Sequence, residues 1–384
     1  MTTTITCDFD GGNIEVLNQT APHWNLAIRK DSNSHYFQWF YFRVDSEIAQ
    51  DLELRIVNAG QAAYPSGWLD YKACASTDGE TWIRIPTTYD DGVLTLHLRT
   101  TAATTFLAYF EPYSTDRHRA LIAHWASQPG FRHTVLGLTL DGRPLDKLTV
   151  GDGPLQVWLY ARQHPGETMA EWWMEGALPF LASPDGQATA LRQAATFHIV
   201  PNMNPDGSAR GHLRTNAAGI DLNREWAAAS PTRSPEVWHV LEAMRQSGVD
   251  FALDVHGDEA IPHVFTAGFE GIPSWTPGRD ALYRTYTSAL QAVTADFQTT
   301  AGYPVPAPNT ANLAISSNYV AETFGAVAMT LEMPFKDHLE APDPVRGWSK
   351  QRSAALAVSC LQALHDSLGE IAAMPRRRAG ADRP

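Results

Sequence analysis

Apolar positions follow two different rhythms along the chain. Up to about residue 115 they fall in short runs, at 13–16, 35–44, 52–57, 82–85 and 93–98, rich in β-branched and aromatic side chains. Turn formers separate them, as in Thr77-Asp78-Gly79 and Asp90-Asp91-Gly92. Short strands at this spacing predict a small antiparallel β-sandwich over residues 1–115. The rhythm changes after the segment YFEPYS at 109–114, and a helix is expected over 115–127. Beyond it, continuous apolar runs at 155–160, 196–200, 251–255 and 326–331 read as strands buried on both faces. Helical patterns near 168–183, 235–247, 279–296 and 347–370 lie between or after them. This alternation predicts an α/β unit over 116–373, with helices on both faces of a mostly parallel sheet. The last residues, 374–384 (MPRRRAGADRP), read as a solvated, disordered tail, and no internal repeat is present.

Composition narrows the function. With 44% hydrophobic and 18% charged residues in 384, the chain can bury a large core. A net charge of -13 argues against nucleic acid as the main partner, because phosphate binding needs a basic face. The opening MTTTITCDFDGG lacks the features of a secretory leader, and no run of about 18 apolar residues predicts a membrane span. The three cysteines, Cys7, Cys74 and Cys360, are few and far apart, so a cytoplasmic setting without disulfides is expected.

Candidate chemistry collects at the carboxyl ends of the predicted parallel strands, where sites form in open α/β sheets. His164-Pro165-Gly166-Glu167 follows the run LQVWLYAR and precedes a helical pattern. Pro and Gly favour a tight loop there, from which His164 and Glu167 can face one ion. His256, in LDVHG, follows another buried strand and supplies a third donor. Two imidazoles and a carboxylate leave a coordination place for water, and nitrogen and oxygen donors in this set favour a single zinc ion. Glu332, in TLEMPF, ends the last apolar run as a general-base candidate. Between 200 and 226 the chain reads VPNMNPDGSARGHLRTNAAGIDLNREW, where Arg214, Asn223 and Arg224 suit a carboxylate. Asp221 suits the outer N–H of a metal-bound imidazole.

In this order the segments HPGE, NPDG, DLNR, DVHG and TLE resemble the M14 family of zinc carboxypeptidases. The leading β-unit and YFEPYS are similar to its cytosolic carboxypeptidase branch. The resemblance implies an α/β/α fold around a mixed, mostly parallel sheet, with zinc held by His164, Glu167 and His256. It implies Glu332 as general base and Arg214 polarising the scissile carbonyl. Asn223 and Arg224 would grip the terminal carboxylate of a peptide or protein substrate. An alternative with related motif logic is a zinc N-acyl amino acid deacylase similar to aspartoacylase. A binding module that has lost catalysis fits less well, since the ligand set and base are all present.

Two features bear on specificity. The family's substrate-capping tyrosine has two candidates, Tyr303 and Tyr319. The basic residue that glutamate-trimming members carry before the catalytic Glu is replaced here by Ile315-Ser316-Ser317-Asn318. Segment 309–323 has no Lys or Arg, and its only acid is Glu322. The expected preference is therefore for neutral or polar terminal residues, unless a cation such as Arg210 or Lys336 reaches in.

Overall fold

A computed structural model describes residues 3–20 and 23–373. The tail expected at 374–384 lies outside the described residues. The chain opens with strands β1 (Thr4–Thr6), β2 (Glu15–Thr20), β3 (His23–Ala27), β4 (Tyr41–Asp45) and β5 (Asp51–Ile56). These are followed by β6 (Cys74–Ser76), β7 (Ile83–Arg84), β8 (Thr87–Asp90), β9 (Val93–Arg99) and β10 (Thr104–Ala108). They form two five-stranded sheets, ordered β1-β4-β10-β6-β7 and β2-β3-β5-β9-β8. Burial alternates along β5 and β9, so Leu52, Leu54, Ile56, Leu94, Leu96 and Leu98 face one core. Pairing is antiparallel except between β3 and β5, which run parallel.

The run at 35–44 becomes a strand only in its second half. Phe37, Trp39 and Phe40 are buried outside any strand, and Gln38 is fully buried. The Gln38 side chain bonds the Tyr64 backbone and the Tyr109 hydroxyl, and the Trp39 indole N–H donates to the Gly11 carbonyl. Aromatic content signalled burial correctly, but these side-chain bonds and isolated backbone bonds, Ala63 N–H to the Phe37 carbonyl and Tyr109 N–H to the Phe40 carbonyl, hold the segment in place of a strand ladder.

Helix α1 (Thr115–Ala126), capped by Ser114, leads into β11 (Phe131–Leu138), β12 (Pro144–Val150) and β13 (Leu155–Ala161). Then come α2 (Met169–Ala182), α3 (Gly186–Ala194), β14 (Ala195–Val200), α4 (Pro205–Arg210), α5 (Pro235–Ser247) and β15 (Phe251–Asp258). The remainder is β16 (Phe265–Ala267), α6 (Pro277–Val293), α7 (Ser316–Phe324), β17 (Val327–Pro334) and α8 (Lys350–Ala372). The seven-stranded sheet is ordered β11-β12-β14-β13-β15-β17-β16. Its centre, β14-β13-β15-β17, is parallel and matches the four expected runs, while β11, β12 and β16 add antiparallel margins. Strands β15 and β17 are buried along their full lengths, and α2, α6 and α8 pack together.

Sheet register creates the opening for a site. Pairing of β13 with β15 stops at Ala161↔Val255, but β15 and β17 continue through His256↔Glu332 to Asp258↔Pro334. Both residues therefore lie inside strands and not at strand ends, as the apolar runs alone suggest. The strand that would flank His256 has already turned away.

Candidate metal centre

Arg162 makes that turn. It adopts the left-handed conformation (φ 59°), which takes the chain off β13. Its guanidinium donates to the Pro165 carbonyl (2.9 Å), the Tyr113 carbonyl (2.9 Å) and Glu171 Oε2 (2.7 Å). The Gly166 N–H donates to the Leu213 carbonyl at 2.9 Å. The loop is thus pinned to three other segments, and it carries His164 and Glu167 to the end of β15.

There the candidate donors meet. His164 Nδ1 lies 2.7 Å from Glu167 Oε1, His256 Nδ1 lies 2.8 Å from Glu167 Oε2, and the two Nδ1 atoms are 3.2 Å apart. All three residues are buried, and their donor atoms lie within 4.8 Å of one another. His164 Nε2 is hydrogen-bonded to Asp221 Oδ1 (3.0 Å), and His256 Nε2 lies 2.9 Å from Asp254 Oδ1 in an ion-pair contact. Gln163 supports the second pair by donating to Asp254 Oδ2 at 2.6 Å. Asp254 escaped the reading of the sequence. Its signal was the Asp-x-His spacing of LDVHG, which puts both side chains on one face of a strand.

These contacts test whether a cation fits. A carboxylate only accepts, so with a cation between the Nδ1 atoms and Glu167 each Nε2 would carry the proton and each Nδ1 would offer its lone pair. Two nitrogen lone pairs and the Glu167 oxygens then converge, which is favourable only around positive charge. Burial alone would depress the His256 pKa, yet Asp254 and Glu167 outweigh it and hold it well above 6.5. Burial likewise opposes ionisation of Glu167, and His164 and His256 overcome it, keeping the carboxyl well below 4.5. The donor set is chemically suited to zinc.

Around this centre lies a cavity of about 1010 Å³. Glu332 reaches it from β17, 5% exposed; Oε2 has no hydrogen-bond partner among the described residues. Burial pushes its pKa well above 4.5; His256 counteracts this, while Glu167 and Asp258 add to it. The Tyr303 hydroxyl lies 2.7 Å from Asp258 Oδ2 and 3.2 Å from Glu332 Oε1. Of the two tyrosine candidates, Tyr303 lines the cavity, whereas Tyr319 packs against the core. Glu259, missed in the sequence, also lines it, its pKa raised by burial, Glu167 and Asp258.

The 205–224 segment supplies the cations. Arg214 Nε donates to Asp221 Oδ2 at 2.8 Å, so Asp221 links this arginine to His164. The Tyr36 and Tyr64 rings flank the guanidinium at 5.4 and 5.7 Å from its carbon. Asn223 Oδ1 accepts from the Ser316 N–H at 2.9 Å, and the residue lines the cavity. Exposed Arg224 stands beside it on the cavity wall.

Ser317, Asn318 and Thr330 form a neutral stretch of that wall, whereas Ser316 Oγ is turned away to the Tyr160 hydroxyl at 2.6 Å. Neither Arg210 nor Lys336 reaches in: Arg210 pairs with Asp141 and Lys336 with the Leu69 carbonyl. The wall does contain Glu270 and Arg284, neither singled out in the sequence; Arg284 is largely exposed and paired with Asp280.

Comparison with known proteins places the chain in context. Residues 5–110 match the profile of the cytosolic carboxypeptidase N-terminal domain, and residues 118–347 match that of the zinc carboxypeptidases. An uncharacterised protein of Zymomonas mobilis is 52% identical over 97% of this chain and 98% of its own length. Human cytosolic carboxypeptidase 1 is 29% identical over 68% of this chain, which spans only 26% of that relative's length. A metallo-carboxypeptidase from Pseudomonas aeruginosa, solved in complex with (2-guanidinoethylmercapto)succinic acid, superposes with a TM-score of 0.94. It is 45% identical, over 96% of this chain and 100% of the other. A metallo-carboxypeptidase from Burkholderia cenocepacia also superposes with a TM-score of 0.94, at 42% identity over 96% of this chain and 100% of the other.

Proposed function

The chain belongs to the zinc carboxypeptidase family, and from that membership we propose that it removes C-terminal residues from peptides or proteins in a zinc-dependent reaction. His164, Glu167 and His256 hold the ion, while Asp221 and Asp254 orient the two imidazoles. The observation that carries this reading is the convergence of two imidazole Nδ1 atoms on Glu167, with Asp221 hydrogen-bonded to His164 Nε2 and Asp254 within 2.9 Å of His256 Nε2. When bound, zinc supplies Lewis acidity, polarising a carbonyl and making water acidic near neutral pH.

The chain's own groups carry the rest. Asn223 and Arg224 grip the substrate's terminal carboxylate, which sets the scissile bond over the centre. Glu332, with one buried oxygen unpartnered, accepts a proton from the attacking water and delivers it to the departing nitrogen. A C–O bond forms as the C–N bond breaks, releasing a free amino acid. Arg214 faces the charge that grows on the carbonyl oxygen. The carboxylates of the succinic acid bound by the Pseudomonas relative are the kind of group that Asn223 and Arg224 would hold.

Division into a β-unit over 1–115 and a catalytic unit over 116–373 belongs to the same reading. So does a reducing, cytoplasmic setting, supported by three buried, unpaired cysteines. No described helix is long and apolar enough to cross a membrane.

The test is metal analysis combined with hydrolysis of an N-blocked dipeptide, its C-terminal amide and an N-acetyl amino acid. One zinc per chain and cleavage of the free-acid dipeptide alone are expected. Preference for the N-acetyl amino acid would favour the deacylase, and zinc with no hydrolysis the binding module.

A further inference from the structure

Arg214 sits in the catalytic half of the chain, yet the N-terminal β-unit holds it. Asp31, on the connection between β3 and β4, is 2% exposed. Its Oδ1 accepts the Leu213 N–H (2.7 Å), and its Oδ2 accepts the Arg214 N–H (2.8 Å), the Thr215 N–H (2.9 Å) and the Thr215 hydroxyl (3.1 Å). One carboxylate thus gathers three successive backbone donors, with Arg214 at their centre. Such charge-assisted bonds are stronger than neutral ones and fix the local backbone.

Neighbouring contacts repeat the pattern. Asn13 Nδ2 donates to the Gly211 carbonyl (2.9 Å), the Gly11 N–H to the Ala209 carbonyl (3.0 Å), and the Ser32 N–H to His212 Nε2 (3.0 Å). Gly219 has φ 82°, and a Cβ there would lie 2.4 Å from the Asn33 carbonyl oxygen. The outer end of the side chain is treated the same way, with Tyr36 and Tyr64, both from the β-unit, flanking the guanidinium. Within its own unit Arg214 has Asp221, which also holds His164.

We propose that Asp31 is a positioning residue for the reaction: it fixes the backbone from which Arg214 reaches the scissile carbonyl, which makes the β-unit part of the catalytic apparatus. The inference rests on the oxyanion role assigned to Arg214. A clamp that merely joined two units would affect folding and metal content. A clamp that aims Arg214 acts on kcat, because oxyanion charge exists only in the transition state.

Asp31→Asn keeps the volume but turns an N–H₂ group toward backbone donors. In the full-length, zinc-loaded protein it should lower kcat on an N-blocked dipeptide by about 10- to 100-fold, the scale of a small misplacement of a reacting group. Zinc content should stay stoichiometric and KM within about twofold. In an Arg214→Met background the same substitution should cost less than about twofold, since partners in one chain of action are not additive. Equal losses in both backgrounds, or a kcat within twofold of the parent, would overturn the proposal. Should Asp31→Asn not fold, Thr215→Val removes a single bond and should still lower kcat by about two- to fivefold in the parent background only; no change in that variant overturns the proposal as well. If Arg214→Met alone leaves kcat untouched, the oxyanion assignment fails, and that single variant identifies the premise as the failure.

Discussion

Glu236 offers a pH-dependent stability test beneath the Arg214 loop. It lies in the first turn of α5, fully buried, with Oε2 accepting from Asn216 Nδ2 at 3.3 Å. Oε1 is buried with no hydrogen-bond partner among the described residues. Burial is the largest influence on its pKa; the Asn216 bond lowers it, Asp206 and Asp141 raise it further, and the result is a rise from 4.5 to about 7. A raised folded pKa means that the folded state prefers the proton. The associated stability is fully present below pH 4.5, where both states are protonated, and is lost as pH rises through about 7. At 1.36 kcal/mol per unit, the loss is about 3 kcal/mol. Glu236→Gln keeps the shape and an acceptor while removing the titration. Unfolding entropy is about 0.8 kcal/mol per kelvin for 384 residues, so the variant should melt about 4 °C above the parent at pH 8.5. The gap should shrink to about 1 °C at pH 5, where little of the loss has developed. Calorimetry of both zinc-saturated proteins at the two pH values measures this. The same gap at both pH values, or a variant less stable at pH 8.5, refutes the reasoning.

Other outcomes follow from the site. His164→Ala or His256→Ala should abolish stoichiometric zinc and activity together, and Asp254→Asn should weaken zinc binding by about 10- to 100-fold; competition with a chelator reads both. Glu332→Gln should retain zinc and fold but lose most turnover, so a near-normal kcat rules out the general-base role. Loss of Arg224 should chiefly raise KM and loss of Arg214 chiefly lower kcat; matching kinetic profiles for the two variants would erase the division of roles. On matched peptides ending in Glu, Lys, Ala, Asn or Phe, kcat/KM should favour neutral or polar ends, given the Ser317, Asn318 and Thr330 wall; a clear maximum at Glu would point instead to a cation such as Arg284.

Local chemistry made much of the molecule legible from the sequence. Helix α5 occupies the span its apolar spacing predicts, and the four continuous apolar runs became the parallel centre of the sheet. A residue's face and its turn preference depend on near neighbours, which the sequence displays directly. For the same reason HPGE could be read as a loop after a strand, and the LDVHG spacing already contained the Asp254–His256 pair. Other features depend on partners far away in the chain. Asp31 meets Leu213, Arg214 and Thr215 across about 180 positions, and no local pattern distinguishes it from a surface acid. Tertiary packing also turned Phe37 and Trp39 inward without a strand, paired β3 with β5 in parallel, and aimed Tyr303 at Glu332. Each of these is a choice among locally equivalent conformations. Burial and hydrogen-bond satisfaction decide it only once distant segments meet.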